Sequence, residues 1–146
     1  MTTNTALIVG VGDGLSASLA RLLNGVGYEL VLAARNTDKI AGLAEETGAR
    51  TLSCDASDQA SVEQLFASLD GTLRIVIYNP SARQRGPITE LDPAAVKQAI
   101  EVTAFGAFLV GQAAARVMLA QEPQDGVRGT ICLLYTSDAA DESSRG

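Results

Sequence analysis

The stretch from Ala6 to Ser16 constrains this chain more than any other. Ala6-Leu7-Ile8-Val9 reads as a buried strand, and Gly10-Val11-Gly12-Asp13-Gly14-Leu15-Ser16 as a glycine-rich turn. Leu15, Leu19, Leu22 and Leu23 then recur at helical spacing. A strand, a glycine turn and a helix N-terminus together make a site for a dinucleotide phosphate. Glycine lets the backbone come close to the pyrophosphate, and the free N–H groups and dipole of the helix favour its charge. The plain alternative is a tight strand-to-helix connection that holds no ligand.

The rest of the chain repeats the alternation. Strand 1 is expected over 5–9 and a helix over 14–25, closed by Gly25-Val26-Gly27. Tyr28 to Ala34 reads as strand 2. Thr37 or Asn36 caps a helix carrying Ile40, Leu43 and Ala44, which stops at Gly48. Residues 50–54 form a short strand 3, and Ser57 or Asp58 opens a helix with Val62, Leu65, Phe66 and Leu69 inward. Strand 4 spans 73–78, and a loop spans 79–91. Asp92-Pro93 starts a helix that runs to about Leu119, with Asp as cap and Pro at the first helical position. Thr130-Ile131 begins strand 5. Strands separated by helices imply right-handed crossovers and a parallel sheet. The expected fold is therefore α/β, a three-layer Rossmann-type sheet of five strands in the order 3-2-1-4-5.

Composition narrows the function classes. With 146 residues, 47 % of them apolar and 19 % charged, the chain suits one folded domain with a real core. It has no histidine, and Cys54 and Cys132 form no pattern, so a zinc site and a Ser-His-Asp triad are not expected. A net charge of −6 without a basic run argues against nucleic acid and anionic membranes. No apolar run is expected to reach transmembrane length. The N-terminus lacks the basic start of a signal peptide, and a cytoplasmic location is the expectation.

Three further positions bear on a nucleotide. In this architecture an acid at the end of strand 2 binds the ribose 2′-hydroxyl of NAD, whereas a nearby Arg accommodates the 2′-phosphate of NADP. Here the strand ends Ala33-Ala34-Arg35-Asn36, with no acid before Asp38, so Arg35 favours NADP unless it is an ordinary solvated Arg. Asp55, with Ala56 after it, follows strand 3, where ligands bind in open α/β sheets; it also fits a loop or cap residue. Asn79 in Asn79-Pro80-Ser81-Ala82 follows strand 4. It can bond the cofactor, brace the loop, or make a plain Asn-Pro turn.

Taken together, these residues resemble the short-chain dehydrogenase/reductase family over residues 5–131, the cofactor-binding half. The resemblance implies cofactor contacts at Gly10, Asp13, Gly14, Leu15, Arg35, Asp55, Ala56 and Asn79, with NADP preferred and NAD second. It implies hydride transfer with a small carbonyl or alcohol, and a homo-oligomeric parent in which the helix over 92–119 packs against a partner subunit. The family's loop usually reads Thr-Gly-x-x-x-Gly-x-Gly; this chain has Val9 for the Thr and Ser16 for the last Gly. The family's general acid/base is a tyrosine with a lysine four residues later. Here Tyr28, Tyr78 and Tyr135 are followed at that distance by Leu32, Ala82 and Ala139. Thr103 stands where the family's long helix has an asparagine. No catalytic residue is therefore assigned, and the chain alone is expected to be inactive.

The match to the family pattern fails after Ile131. Cys132-Leu133-Leu134-Tyr135-Thr136-Ser137-Asp138-Ala139-Ala140-Asp141-Glu142 resembles the in-frame translation of a transposase-type sequencing adaptor. Residues 1–131 are therefore read as the dinucleotide-binding fragment and 132–146 as a non-native tail. A genuine acidic tail is the alternative, and Ser137 is not assigned as an active-site serine. Two other functions stay open at this stage. One is a non-catalytic dinucleotide-binding module. The other is a flavodoxin-like binding domain, which needs strand order 2-1-3-4-5.

Overall fold

Among the described residues all the sheet neighbours are parallel, so each connection must cross a face of the sheet, and the helices are what cross it. The computed structural model describes residues 3–12, 14–80 and 82–134. Its elements are β1 (Asn4–Val9), α1 (Leu15–Gly25), β2 (Glu29–Ala34), a 3-10 turn (Thr37–Ile40) running into α2 (Ala41–Thr47), β3 (Arg50–Ser53), α3 (Gln59–Ala67) and β4 (Thr72–Tyr78). Then follow α4 (Pro93–Ile100), a π-helical segment (Glu101–Phe105), α5 (Gly106–Leu119) and β5 (Thr130–Leu133). The strand order is β3-β2-β1-β4-β5, as the sequence predicts. That order excludes the flavodoxin-like arrangement.

Side chains alternate across a strand, so β1 feeds two cores. Leu7 and Val9 face one side with Val76, Tyr78, Val62, Leu65, Val110 and Met118. Ala6 and Ile8 face the other with Leu32, Ile77, Ala20, Leu23 and Ile40. Each fully buried Leu, Ile or Val contributes roughly 1.5–3 kcal/mol, which is why the central strands are apolar on both faces. Helix starts are fixed by side-chain acceptors. Asn36, not Thr37, takes the Asp38 N–H at 3.0 Å, and Asp58, not Ser57, takes the Ser61 N–H at 3.2 Å. Asp92 accepts from the Ala94 N–H at 3.3 Å, with Pro93 opening the helix as expected.

Three features depart from the sequence reading. The inward face of α1 is Ser16, Ala17, Ala20 and Leu23, whereas Leu15 and Leu22 point outward, 55 % and 62 % exposed. Small residues let the helix approach the sheet beside the glycine turn, so the leucine spacing misplaces the face. The helix expected as one piece over 92–119 is interrupted at Glu101–Phe105 by a π-helical segment. The joined stretch Pro93–Leu119 is, against expectation, 27 residues long and apolar enough by length and composition to cross a bilayer. In this chain it lies along the sheet, with Leu109, Val110, Ala114 and Met118 in the core. As expected, β5 begins at Thr130, and it continues with Cys132 paired to Ile77 and Leu133 to Tyr78.

Candidate functional site

The carboxyl ends of β1 to β4 open onto one cavity of about 390 Å³. Gly10, Gly14, Leu15, Arg35, Asp55, Ala56 and Asn79 all line it. Asp13, Ser81, Tyr135 and Ser137 lie outside the described residues. Gly12, Pro80 and Ala82 line it from within the motifs read from the sequence, while Cys54 and Val102 also line it and were not singled out. Cys54 adjoins a residue that was. Val102 comes from the π-helical segment, which left no signal in the periodicity.

The glycines do different jobs. Gly10 has φ +82°, a conformation costly for other residues, and a Cβ there would collide with Pro80. Its N–H donates to the Ala33 carbonyl at 2.9 Å, tying β1 to β2 where both strands end. Cβ atoms on Gly12 or Gly14, by contrast, would meet nothing within 4 Å. At the start of α1 no side chain caps the helix and no acid stands in the first turn. This uncrowded backbone, with the first-turn N–H groups left to a ligand, fits a phosphate group.

Ser16 makes good the hydroxyl that Val9 lacks. Its Oγ donates to the Gly10 carbonyl at 3.0 Å and accepts from Asn79 Nδ2 at 2.9 Å. The Asn79 N–H donates to the Val9 carbonyl at 2.8 Å. Of the roles open to Asn79, the side-chain amide thus performs the brace. Ser16 is 1 % exposed, and both bonds are partly buried.

Charge at the rim is arranged around two residues. Arg35 is exposed just past β2. Asp55 Oδ1 accepts from the Ser57 hydroxyl at 2.7 Å and the Ser57 N–H at 3.0 Å, closing a turn of its own. The Ser57 hydroxyl is the main cause that holds the Asp55 carboxyl below its usual range. Partial burial opposes it, and the Ser57 N–H and Arg35 reinforce it. The site therefore presents an ionised carboxylate beside a guanidinium. Burial pushes the Cys54 thiol up, so it is held as the neutral thiol.

Tyr78 ends β4 next to Asn79 and is itself buried behind the cavity lining. This residue is 1 % exposed, and its hydroxyl donates to the Val102 carbonyl within the π-helical segment. Burial first, then Cys54 and Asp55, push its pKa up to about 12. Gly106 passes directly over this hydroxyl, and a Cβ there would overlap it. Thr103 turns back on its own helix, its Oγ1 donating to the Ala99 carbonyl at 2.7 Å. Among the described residues no group of three or more Cys, Asp or Glu could hold a metal ion.

Comparison with known proteins gives a consistent result. A family model described as short chain dehydrogenase matches residues 4–142, ending beyond Ile131. The cis-4-hydroxycyclohexanecarboxylate dehydrogenase of Sinomonas cyclohexanicum is 33 % identical over 123 residues, covering 79 % of this chain and 49 % of that enzyme. The chain thus spans about half the length of that relative. A short-chain dehydrogenase structure from Rhodopseudomonas palustris superimposes with TM-score 0.77 at 27 % identity, covering 88 % of this chain and 61 % of that one. A metagenomic short-chain oxidoreductase in complex with NADP gives TM-score 0.75 at 25 % identity, covering 80 % and 57 %.

Proposed function

The chain belongs to the short chain dehydrogenase family, and on that premise we propose that its parent protein is an NADP-preferring oxidoreductase acting on a small carbonyl or alcohol. The observation that carries this reading is the rim of the cavity. At the end of β2 it offers Arg35 and no carboxylate, beside a glycine loop with open space at Gly12 and Gly14. The bound dinucleotide would supply or accept hydride at its nicotinamide. The protein's own part is to hold the pyrophosphate on the first turn of α1 and to pair Arg35 with the 2′-phosphate. Asp55, kept ionised, offers an acceptor to the nucleotide. The NADP complex of the metagenomic relative supports the preference. NAD is the weaker ligand in this reading.

Without Tyr-x-x-x-Lys this chain binds cofactor but does not turn it over. A second reading is a dinucleotide-binding module without chemistry, which the uncapped helix start and the glycine loop would serve equally well. Sequencing independent template DNA across Ile131 separates the two. A frame that continues into a serine loop and Tyr-x-x-x-Lys supports the reductase, and a genomic CLLYTSDAADE with an early stop supports the module.

The outer face of the long helix adds a partner. Ile100, Phe105 and Phe108 are 58 %, 47 % and 55 % exposed, and the two phenylalanine rings stack at 6.4 Å. Such an apolar stripe supports a homo-oligomer of the parent.

Cofactor choice is tested by titrating the chain with NADPH and NADH and following nicotinamide fluorescence. NADPH should bind about tenfold tighter, the scale of one charge-assisted contact. Arg35→Asp should reverse the order. Equal affinities before and after the change would end the NADP assignment.

A further inference from the structure

We propose that Tyr78 is a positioning residue for the nucleotide cavity: it holds Val102, and with it one apolar wall of the cavity, in place from behind. The inference rests on the dinucleotide reading above and gives a role to a residue that reading does not use. Tyr78 does not itself line the cavity, whereas Ala56 and Val102, both buried, do. Its hydroxyl donates to the Val102 carbonyl, so whatever it does for a ligand it does through that residue.

The phenol is a rigid prop. The Tyr78 backbone is paired with Val9 on one side and Leu133 on the other, and its ring belongs to the core that holds Val62, Leu65 and Val110. The long helix meets it where its own bonding leaves the α pattern. Over Glu101–Phe105 the helix is π, with the Gly106 N–H donating to the Glu101 carbonyl. The Thr103 hydroxyl bonds back to the Ala99 carbonyl, which bends a helix. Such π-helical turns recur at functional sites. Gly106 lets the helix seat on the phenol, since a Cβ there would overlap the hydroxyl and stand 2.9 Å from the Ala56 carbonyl. The next residue of the strand end makes the matching tie: Asn79 bonds Ser16 and Val9 on the glycine-loop side. Two consecutive residues after the same strand thus hold the two walls, and the Tyr78 hydroxyl sets where the second wall stands relative to the first.

The test separates the two walls by ligand. In calorimetric titrations of the chain, 5′-AMP reports on both walls and inorganic pyrophosphate on the glycine loop alone. Tyr78→Phe keeps the ring and removes the tie. It should weaken 5′-AMP about fivefold, the scale of one hydrogen bond, and leave pyrophosphate unchanged. Cys54, buried in the cavity lining, reports the same movement without a nucleotide. With Cys132→Ser in the background, a maleimide should label Cys54 several-fold faster in Tyr78→Phe than in the parent chain, and 5′-AMP should slow the labelling. Val76→Ala, buried on the same strand and face but outside the cavity, should change neither ligand nor labelling. Val102→Ala trims the wall, leaves the hydroxyl bond in place and should also weaken 5′-AMP alone, so the proposal stays testable if Tyr78→Phe does not fold. Unchanged 5′-AMP affinity in Tyr78→Phe or in Val102→Ala overturns the proposal and leaves the dinucleotide reading standing. An equal loss in Val76→Ala, or a loss of pyrophosphate in step with 5′-AMP, also overturns it, because a general loosening would then be at work. If the wild-type chain binds neither ligand, the dinucleotide reading falls and this proposal with it.

Discussion

The two ends of one sheet carry cavities of nearly equal volume, about 390 Å³ at the carboxyl end and about 410 Å³ at the amino end, and they are built in opposite ways. At the amino end the polar groups answer one another. Arg50 Nη1 pairs with Asp70 at 2.9 Å and Nη2 donates to the Ser68 carbonyl, while the Thr5 hydroxyl donates to the Asp70 carbonyl at 2.8 Å. At the carboxyl end the helix start has no side-chain cap, two glycines face open space, and Arg35 has no ion-pair partner among the described residues. Volume does not separate a binding site from a dimple. Hydrogen-bonding and charge capacity left unspent by the fold does.

The most damaging way to break the comparison is Gly10→Ala. The new methyl group meets Pro80 from a backbone conformation that disfavours it, so stability should fall by about 3 kcal/mol or more in urea denaturation. A variant as stable as the parent chain would show that the loop is not pinned there. Tyr78→Phe comes next. It strands the Val102 carbonyl in the interior and should cost about 1–3 kcal/mol. The wild-type chain should carry a matching signature at high pH. The folded state holds this phenol neutral up to about 12, so the unfolded chain ionises first. Its contribution is intact below a pH of about 10, the unperturbed tyrosine value, and disappears as pH rises through the folded value. Stability profiles of wild type and Tyr78→Phe that run parallel from neutral pH to that range would refute it. The smallest effect belongs to the amino end. Arg50→Ala removes a half-exposed pair and should cost under about 1 kcal/mol, with NADPH affinity unchanged. A loss of NADPH affinity would mean that the two ends are coupled.

Much of this arrangement was legible in advance, for reasons that particular residues make plain. The parallel sheet followed from alternation, because parallel neighbours need helical crossovers, whereas alternation alone left the order 2-1-3-4-5 open beside the expected 3-2-1-4-5. Arg35, Asp55 and Asn79 were found because each stands at a strand's carboxyl end, which chain position alone reveals. Leu15 and Leu22 misled, since spacing reports that a helix has a face and not that small residues make up the packed one. The π-helical segment was invisible. It depends on Tyr78 reaching Val102 from 24 positions away and on Gly106 leaving room, and no local pattern holds both. Ser16 looked like an obstruction at a glycine position. Only the structure shows its hydroxyl bonded to Gly10 and Asn79.

That serine has a kinetic consequence. A glycine-rich loop that is loose in the free protein must be caught in the right shape before a ligand can stay, and the fraction of time spent in that shape limits the apparent affinity. Here the two ends of the loop, Gly10 and Ser16, are fastened to each other and to Asn79 before any nucleotide arrives. In the proposed reading these ends need not be ordered again on capture, which leaves encounter and the pull of Arg35 to set its rate.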